Sequence, residues 1–207
     1  IGHRGKDASM LQKSISEKMQ KLFYTNNTIL LSTSSGTGLM EGSIRSCTSK
    51  KAAVFSCGSF GDRWYKMAVA NNVPADIFKV ELGEATTPEM VDKVLSTGEY
   101  DLITVTHNET STGIRNPIEE IGEVVKKYED VIYCVDTVSS AGGIKVEVDK
   151  IGIDICITSV QKALGLPPGM SICTFSQKAI DRAKQVPFRG VYLDLLAMYE
   201  YLIKKNY

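Results

Sequence analysis

Val131-Ile132-Tyr133-Cys134-Val135-Asp136 is an unbroken apolar run closed by a carboxylate. With no polar residue alternating along it, such a run reads as a strand buried on both faces, as the interior strands of parallel sheets are. Directly upstream, residues 117–128 carry helical spacing with proline in the first turn, and before them residues 101–106 form a second apolar strand. Strand, helix and strand within roughly 35 residues make a βαβ unit, whose two strands run parallel. The same alternation continues in both directions. Strands are expected at 28–32, 52–57, 76–81, 153–159 and 171–175, and helices at 9–23, 38–46, 62–71, 88–96, 177–185 and 193–204. Asn71-Asn72 supplies a stop for the third of these helices, and Thr86 or Thr87 a cap for the fourth. One α/β domain follows: a mostly parallel sheet of about seven strands between helices. In open sheets of this kind ligands sit at the carboxyl ends of the strands, so function is to be sought there.

Composition removes several classes of function. The 207 residues hold 24 Lys plus Arg against 24 Asp plus Glu, so the chain has no basic excess to attract nucleic acid or anionic membrane. No apolar run approaches the roughly 20 residues that span a bilayer, and residues 1–6 lack the apolar stretch of a signal peptide. The five cysteines are odd in number and contain no C-x-x-C, which suggests buried, reduced thiols in a cytoplasmic protein. The two histidines, His3 and His107, lie far apart in sequence and give no metal-ligand spacing.

Four strand ends carry the candidate chemistry. Ser34-Ser35-Gly36-Thr37-Gly38 joins the first strand to a helix. Its glycines permit close backbone approach, and unsatisfied N–H groups with the helix dipole would attract phosphate; a capped glycine-rich turn is an equal reading. It is not a P-loop, because no Gly-Lys-Ser/Thr follows. Thr106 to Gly113 is a polar run after the fourth strand, in which His107 reads more simply as a structural histidine. Asp136 ends the fifth, where it either meets a cation or caps the turn at Thr137–Ser140. Lys162 lies between a buried strand and the turn Pro167-Pro168-Gly169. A partly buried amine there has a lowered pKa and attacks carbonyls; the plain alternative is a lysine reaching the surface.

Together, a phosphate cradle, a strand-end aspartate and a partly buried lysine are the parts needed to hold pyridoxal 5′-phosphate. At this point the sequence resembles the class V aminotransferases of the fold-type I pyridoxal-phosphate enzymes, in particular the alanine–glyoxylate, serine–glyoxylate and serine–pyruvate group. The resemblance is carried by Ser35–Gly38 with Glu41, by Gly58-Ser59-Phe60-Gly61-Asp62-Arg63-Trp64, by His107–Gly113, by Val135–Ser140, and by Gln161-Lys162-Ala163-Leu164 with Pro167-Pro168-Gly169. It covers essentially the whole chain.

The resemblance implies a role for each matching residue. Lys162 would be the Schiff-base lysine and carry the proton shift, and Asp136 would bind the protonated pyridine nitrogen. Phe60 would lie on the ring face. Ser35, Gly36 and Thr37 would hold the phosphate, with Gln161 near it. Thr110 would reach the 3′-oxygen side of the ring, and Val138 would pack beneath it. Val160 stands where the family often writes a small polar residue. The histidine that cysteine desulfurases usually carry before the lysine is here Gln161. The resemblance further implies that residues 1–207 are the large, cofactor-binding domain, helical within 1–25, with a C-terminal small domain outside it. The complete protein would be a cytoplasmic homodimer acting on small amino acids and 2-oxo acids. It would move an amino group from alanine or serine to glyoxylate or pyruvate. The alternatives are 2-aminoethylphosphonate transamination and a non-catalytic cofactor-binding domain.

Overall fold

The computed structural model describes residue 2 and residues 5–205. His3 and the segment around it, like Asn206 and Tyr207, lie outside the described residues.

The chain alternates as its apolar pattern predicts. Helix α1 (Lys6–Phe23) leads into β1 (Thr28–Ser32), then α2 (Gly36–Cys47), β2 (Ala52–Ser56), α3 (Ser59–Ala70), β3 (Ala75–Lys79), α4 (Pro88–Leu95) and β4 (Leu102–Thr106). A two-residue ribbon, β5 (Asn108–Glu109) and β6 (Ile114–Arg115), follows β4. The rest is α5 (Ile118–Val125), β7 (Ile132–Asp136), a short α6 (Val148–Ile151), β8 (Ile155–Ser159), β9 (Ser171–Phe175), α7 (Gln177–Gln185) and α8 (Leu195–Lys205). The ribbon and α6 have no counterpart in the sequence reading; both are too short to show a period. Thr87, not Thr86, caps α4 by accepting from the Met90 N–H, and α3 does stop at Asn71, with Asn72 in the left-handed region.

Seven strands form one sheet in the order β1-β9-β8-β7-β4-β2-β3. Only β9 runs against the others, pairing antiparallel with both β1 and β8. Consequently β1, β2, β3, β4, β7 and β8 all end on one edge of the molecule. The strands alternate between two apolar layers. Ile103, Val105, Tyr133 and Val135 face a core with Phe23 of α1, Val91 of α4 and Ile121 of α5. Leu102, Ile132, Cys134 and Ile157 face a second core with Leu39 of α2, Trp64 of α3 and Ile180 of α7. Burial on both faces is why these strands read as continuous apolar runs. All five cysteines are free and buried. Among the described residues no helix is long and apolar enough to cross a membrane.

Candidate active site

The turn after β1 enters α2 through Ser35, whose Oγ accepts from the Gly38 N–H at 3.2 Å. This capping bond leaves the Ser35 hydroxyl hydrogen free to be donated elsewhere. Gly36 is required here by contact: a Cβ on it would lie 2.6 Å from Val138 Cγ2. The bare backbone thus lets α2 start against the turn after β7. Beside it the Ser159 hydroxyl, at the end of β8, is buried without a hydrogen-bond partner among the described residues.

Asp136 ends β7 with only 4% of its surface exposed. Its Oδ1 accepts from the Val138 N–H at 2.9 Å, and Oδ2 has no partner among the described residues. Burial pushes its pKa up from 3.8 to about 6; the Val138 N–H pulls it down, the nearby Glu109 raises it and Arg63 lowers it. Of the two sequence readings of Asp136, the structure shows the cap: Oδ1 holds the turn, and Oδ2 is left without a partner among the described residues.

Phe60 begins α3, held by a residue far along the chain. Buried Glu109 accepts from the Phe60 and Gly61 N–H groups, both at 3.0 Å on Oε2, while Oε1 accepts from the Ser111 N–H and hydroxyl. A carboxylate at a helix N-terminus meets both unpaired donors and a favourable dipole. This explains why α3 starts a turn earlier than residue 62, where local spacing places it. Arg63 lies with its guanidinium 4.5 Å from the Phe60 ring centroid, and its Nη1 donates to Thr37 Oγ1 at 2.8 Å. On the β4 side, Asn108 Nδ2 and Thr110 Oγ1 donate to Ser139 Oγ, tying the polar run to the turn after Asp136. Thr110 is exposed and Val138 half-buried at this edge. His107 is fully buried with Nδ1 on the Ser140 hydroxyl, and burial lowers its pKa to about 4. It is a neutral structural histidine.

The structure corrects the expectation for Lys162. Both Lys162 and Gln161 are exposed, and Lys162 has no side-chain partner among the described residues. They lie on the excursion between β8 and β9, which closes on itself through Gly165 N–H to Lys162 O and Leu166 N–H to Val160 O. Val160 and half-buried Leu164 anchor this excursion while its other side chains face outward. Among the described residues none buries the amine. The edge therefore gathers Ser35, Gly36, Thr37, Phe60, Thr110, Asp136 and Val138, and places Gln161 and Lys162 on the loop that follows β8. Sequence reasoning gave no role to Glu109, Arg63 or Ser159. Glu109 and Arg63 act across separate elements, and Ser159 is marked only by being the last residue of β8.

Comparison with known proteins places the chain in a family. The family model "Aminotransferase class-V" matches residues 2–207. An uncharacterized aminotransferase of Methanocaldococcus jannaschii is 46% identical over 100% of this chain and 54% of its own length. Mouse alanine–glyoxylate aminotransferase is 32% identical over 86% of this chain and 44% of its own. The crystal structure of alanine–glyoxylate aminotransferase from Nostoc sp. superposes with a TM-score of 0.91 at 28% identity, covering 97% of this chain and 54% of that one. The chain spans about half the length of the curated relatives it matches. It belongs to the class V aminotransferases.

Proposed function

We propose that this chain is the large, cofactor-binding part of a pyridoxal-5′-phosphate-dependent aminotransferase that moves an amino group from alanine or serine to glyoxylate or pyruvate. One observation carries the reading: six parallel strands end together, and at their ends lie a capped glycine-bearing turn, an aromatic ring and a buried carboxylate with one oxygen unpartnered among the described residues. The residues fit the cofactor. The Gly36 cradle, the donors of Ser35 and Thr37 and the unpartnered Ser159 hydroxyl suit a phosphate. The free Oδ2 of Asp136 suits a protonated ring nitrogen. Pyridoxal 5′-phosphate, when bound, supplies a carbonyl that captures the amino group and a ring that accepts electrons.

The chain's own residues do the rest. Asp136 Oδ2 would keep a proton on the ring nitrogen through a charge-assisted bond of about 1.5–3 kcal/mol. Phe60 would offer a flat apolar wall, and Val138, beside Gly36, a second apolar contact. Lys162 Nζ, on the loop after β8, would be the amine that holds the cofactor's carbonyl end and would take up and return a proton there. Its exposed loop gives that amine room to swing. The alanine–glyoxylate names of the mouse and Nostoc relatives support the choice of donor and acceptor. The family resemblance supports a homodimer in which the partner completes the site, to be checked by light scattering of the longer protein.

The test is Lys162→Ala in the longer protein. With cofactor added, the wild type gains a visible absorbance that survives dialysis and is trapped by borohydride, and alanine discharges it. The variant folds but gains none. Absorbance retained by the variant would move the attachment to another lysine. A wild type that gains none would make the chain a non-catalytic member of the family.

A further inference from the structure

Arg63 lies in the first turns of α3, and its two interactions reach different parts of the site. Its Nη1 donates to Thr37 Oγ1 at 2.8 Å in the first turn of α2, and its guanidinium covers the Phe60 ring at 4.5 Å. Among the described residues no carboxylate pairs with it. Asp136 feels its charge without pairing with it, and a guanidinium beside a helix N-terminus with no carboxylate in ion-pair contact makes that end more attractive to an anion.

Two consequences follow from hydrogen bonding and sterics. A hydroxyl that accepts from a guanidinium must aim its own hydrogen elsewhere, so Thr37 becomes a donor toward whatever lies in the turn. Ser35 is set the same way by the Gly38 N–H. With one face of the Phe60 ring under the guanidinium, a planar ligand has only the other face to lie on.

We propose that Arg63 is a positioning residue of this site: it locks the anion-binding turn of α2 to the Phe60 ring of α3 and presets Thr37 as a donor to the ligand's phosphate. The proposal rests on the cofactor reading above, and it adds a residue that touches the phosphate turn and the ring platform at once. Lysine cannot replace it, because a point charge on a flexible stem cannot both bond Thr37 and lie flat on an aromatic ring.

The experiment uses the longer protein with Arg63→Gln and Arg63→Lys. Each is titrated calorimetrically with inorganic phosphate, pyridoxal 5′-phosphate and pyridoxal, and the induced circular dichroism of the bound cofactor is recorded. Arg63→Gln should weaken both phosphate-bearing ligands by about tenfold or more, weaken pyridoxal less, and change the induced dichroism. Its ligand-free melting temperature should stay close to that of the wild type. Arg63→Lys should recover part of the phosphate affinity and none of the dichroism. Unchanged phosphate affinity and dichroism in Arg63→Gln would overturn the proposal. So would an equal loss for pyridoxal, which marks general loosening. Should Arg63→Gln fail to fold, wild-type dichroism in Arg63→Lys would overturn it equally. Arg63-dependent binding of inorganic phosphate, without lysine-linked absorbance on adding cofactor, would leave Arg63 its role and defeat the cofactor reading. A wild type that binds no phosphate defeats both.

Discussion

Asp136 is asked to stay charged where burial favours the neutral acid. Its pKa of about 6 in the fold exceeds the ordinary 3.8, so the native protein binds this proton more tightly than the unfolded chain does. Stability from this group is therefore full below pH about 4 and is lost as pH rises through about 6, a difference of about 3 kcal/mol. Asp136→Asn should make the ligand-free protein more stable than wild type at pH 8, with the gap closing at pH 4, as read from urea midpoints. The same variant should retain cofactor yet lose most turnover, with kcat falling more than KM rises, because the bond it removes strengthens in the transition state. Near-normal kcat would remove Asp136 from the chemistry. At this scale the sequence was informative where a residue's neighbours are its chain neighbours. Asp136 declares itself by ending an apolar strand, and Gly36 by lying in a turn before a helix. The exposure of Lys162 was not legible, since it depends on how an excursion between two strands faces the rest of the molecule. Arg63 and Ser159 were equally silent, because the atoms that give them meaning lie on other elements.

Among the elements, α3 has the least local start. Gly58 precedes it without a side-chain cap, and the acceptors for the Phe60 and Gly61 N–H groups come from Glu109, on the ribbon after β4. A Cβ on Gly58 would lie 2.6 Å from Glu109 Cγ, so the glycine is what admits the carboxylate. Glu109→Ala should cost about 2 kcal/mol of stability, because it strands the buried Gly61 N–H and the part-buried Phe60 N–H, and should also loosen the Phe60 ring. Chemical denaturation gives the first effect, and the induced dichroism of bound cofactor the second. Gly36→Ala belongs to the same scale: its methyl would press on Val138 and force α2 away from β7, costing about 1–3 kcal/mol together with phosphate affinity. A variant as stable as wild type, with unchanged phosphate binding, would contradict the contact. Helices whose caps are local, such as α2 at Ser35 and α4 at Thr87, were readable to within a residue or two. The start of α3 was not, for the reason Glu109 makes plain.

Across the whole molecule, the alternation of apolar strands and amphipathic helices was enough for the sheet and its parallel sense. Strand order was not available, since it is decided by which buried faces meet. Opposite the site, the amino ends of the strands are clasped by buried Asp101. It accepts from the Ser49, Lys50 and Lys51 N–H groups and pairs with Arg182 of α7 at 2.8 Å. Arg182 also donates to the Asp101 and Asp130 carbonyls. Arg182→Met should lower stability by about 3 kcal/mol, since it leaves a buried carboxylate short of its cation, while phosphate affinity at the far edge stays unchanged. A large loss of that affinity would show the two ends to be coupled. The reversed strand β9 has a consequence in time. Thr28 of β1 pairs with Phe175 of β9, so β1 has no sheet neighbour until about 140 further residues have been synthesised. At ribosomal speeds of roughly 5–20 residues per second that wait is on the order of ten seconds. During it, α1 and β1 are open to proteases and chaperones, and the Ser35 turn that follows β1 stays unanchored. Nascent chains arrested before residue 171 should be cut within residues 6–32 by a protease that spares chains released past residue 185.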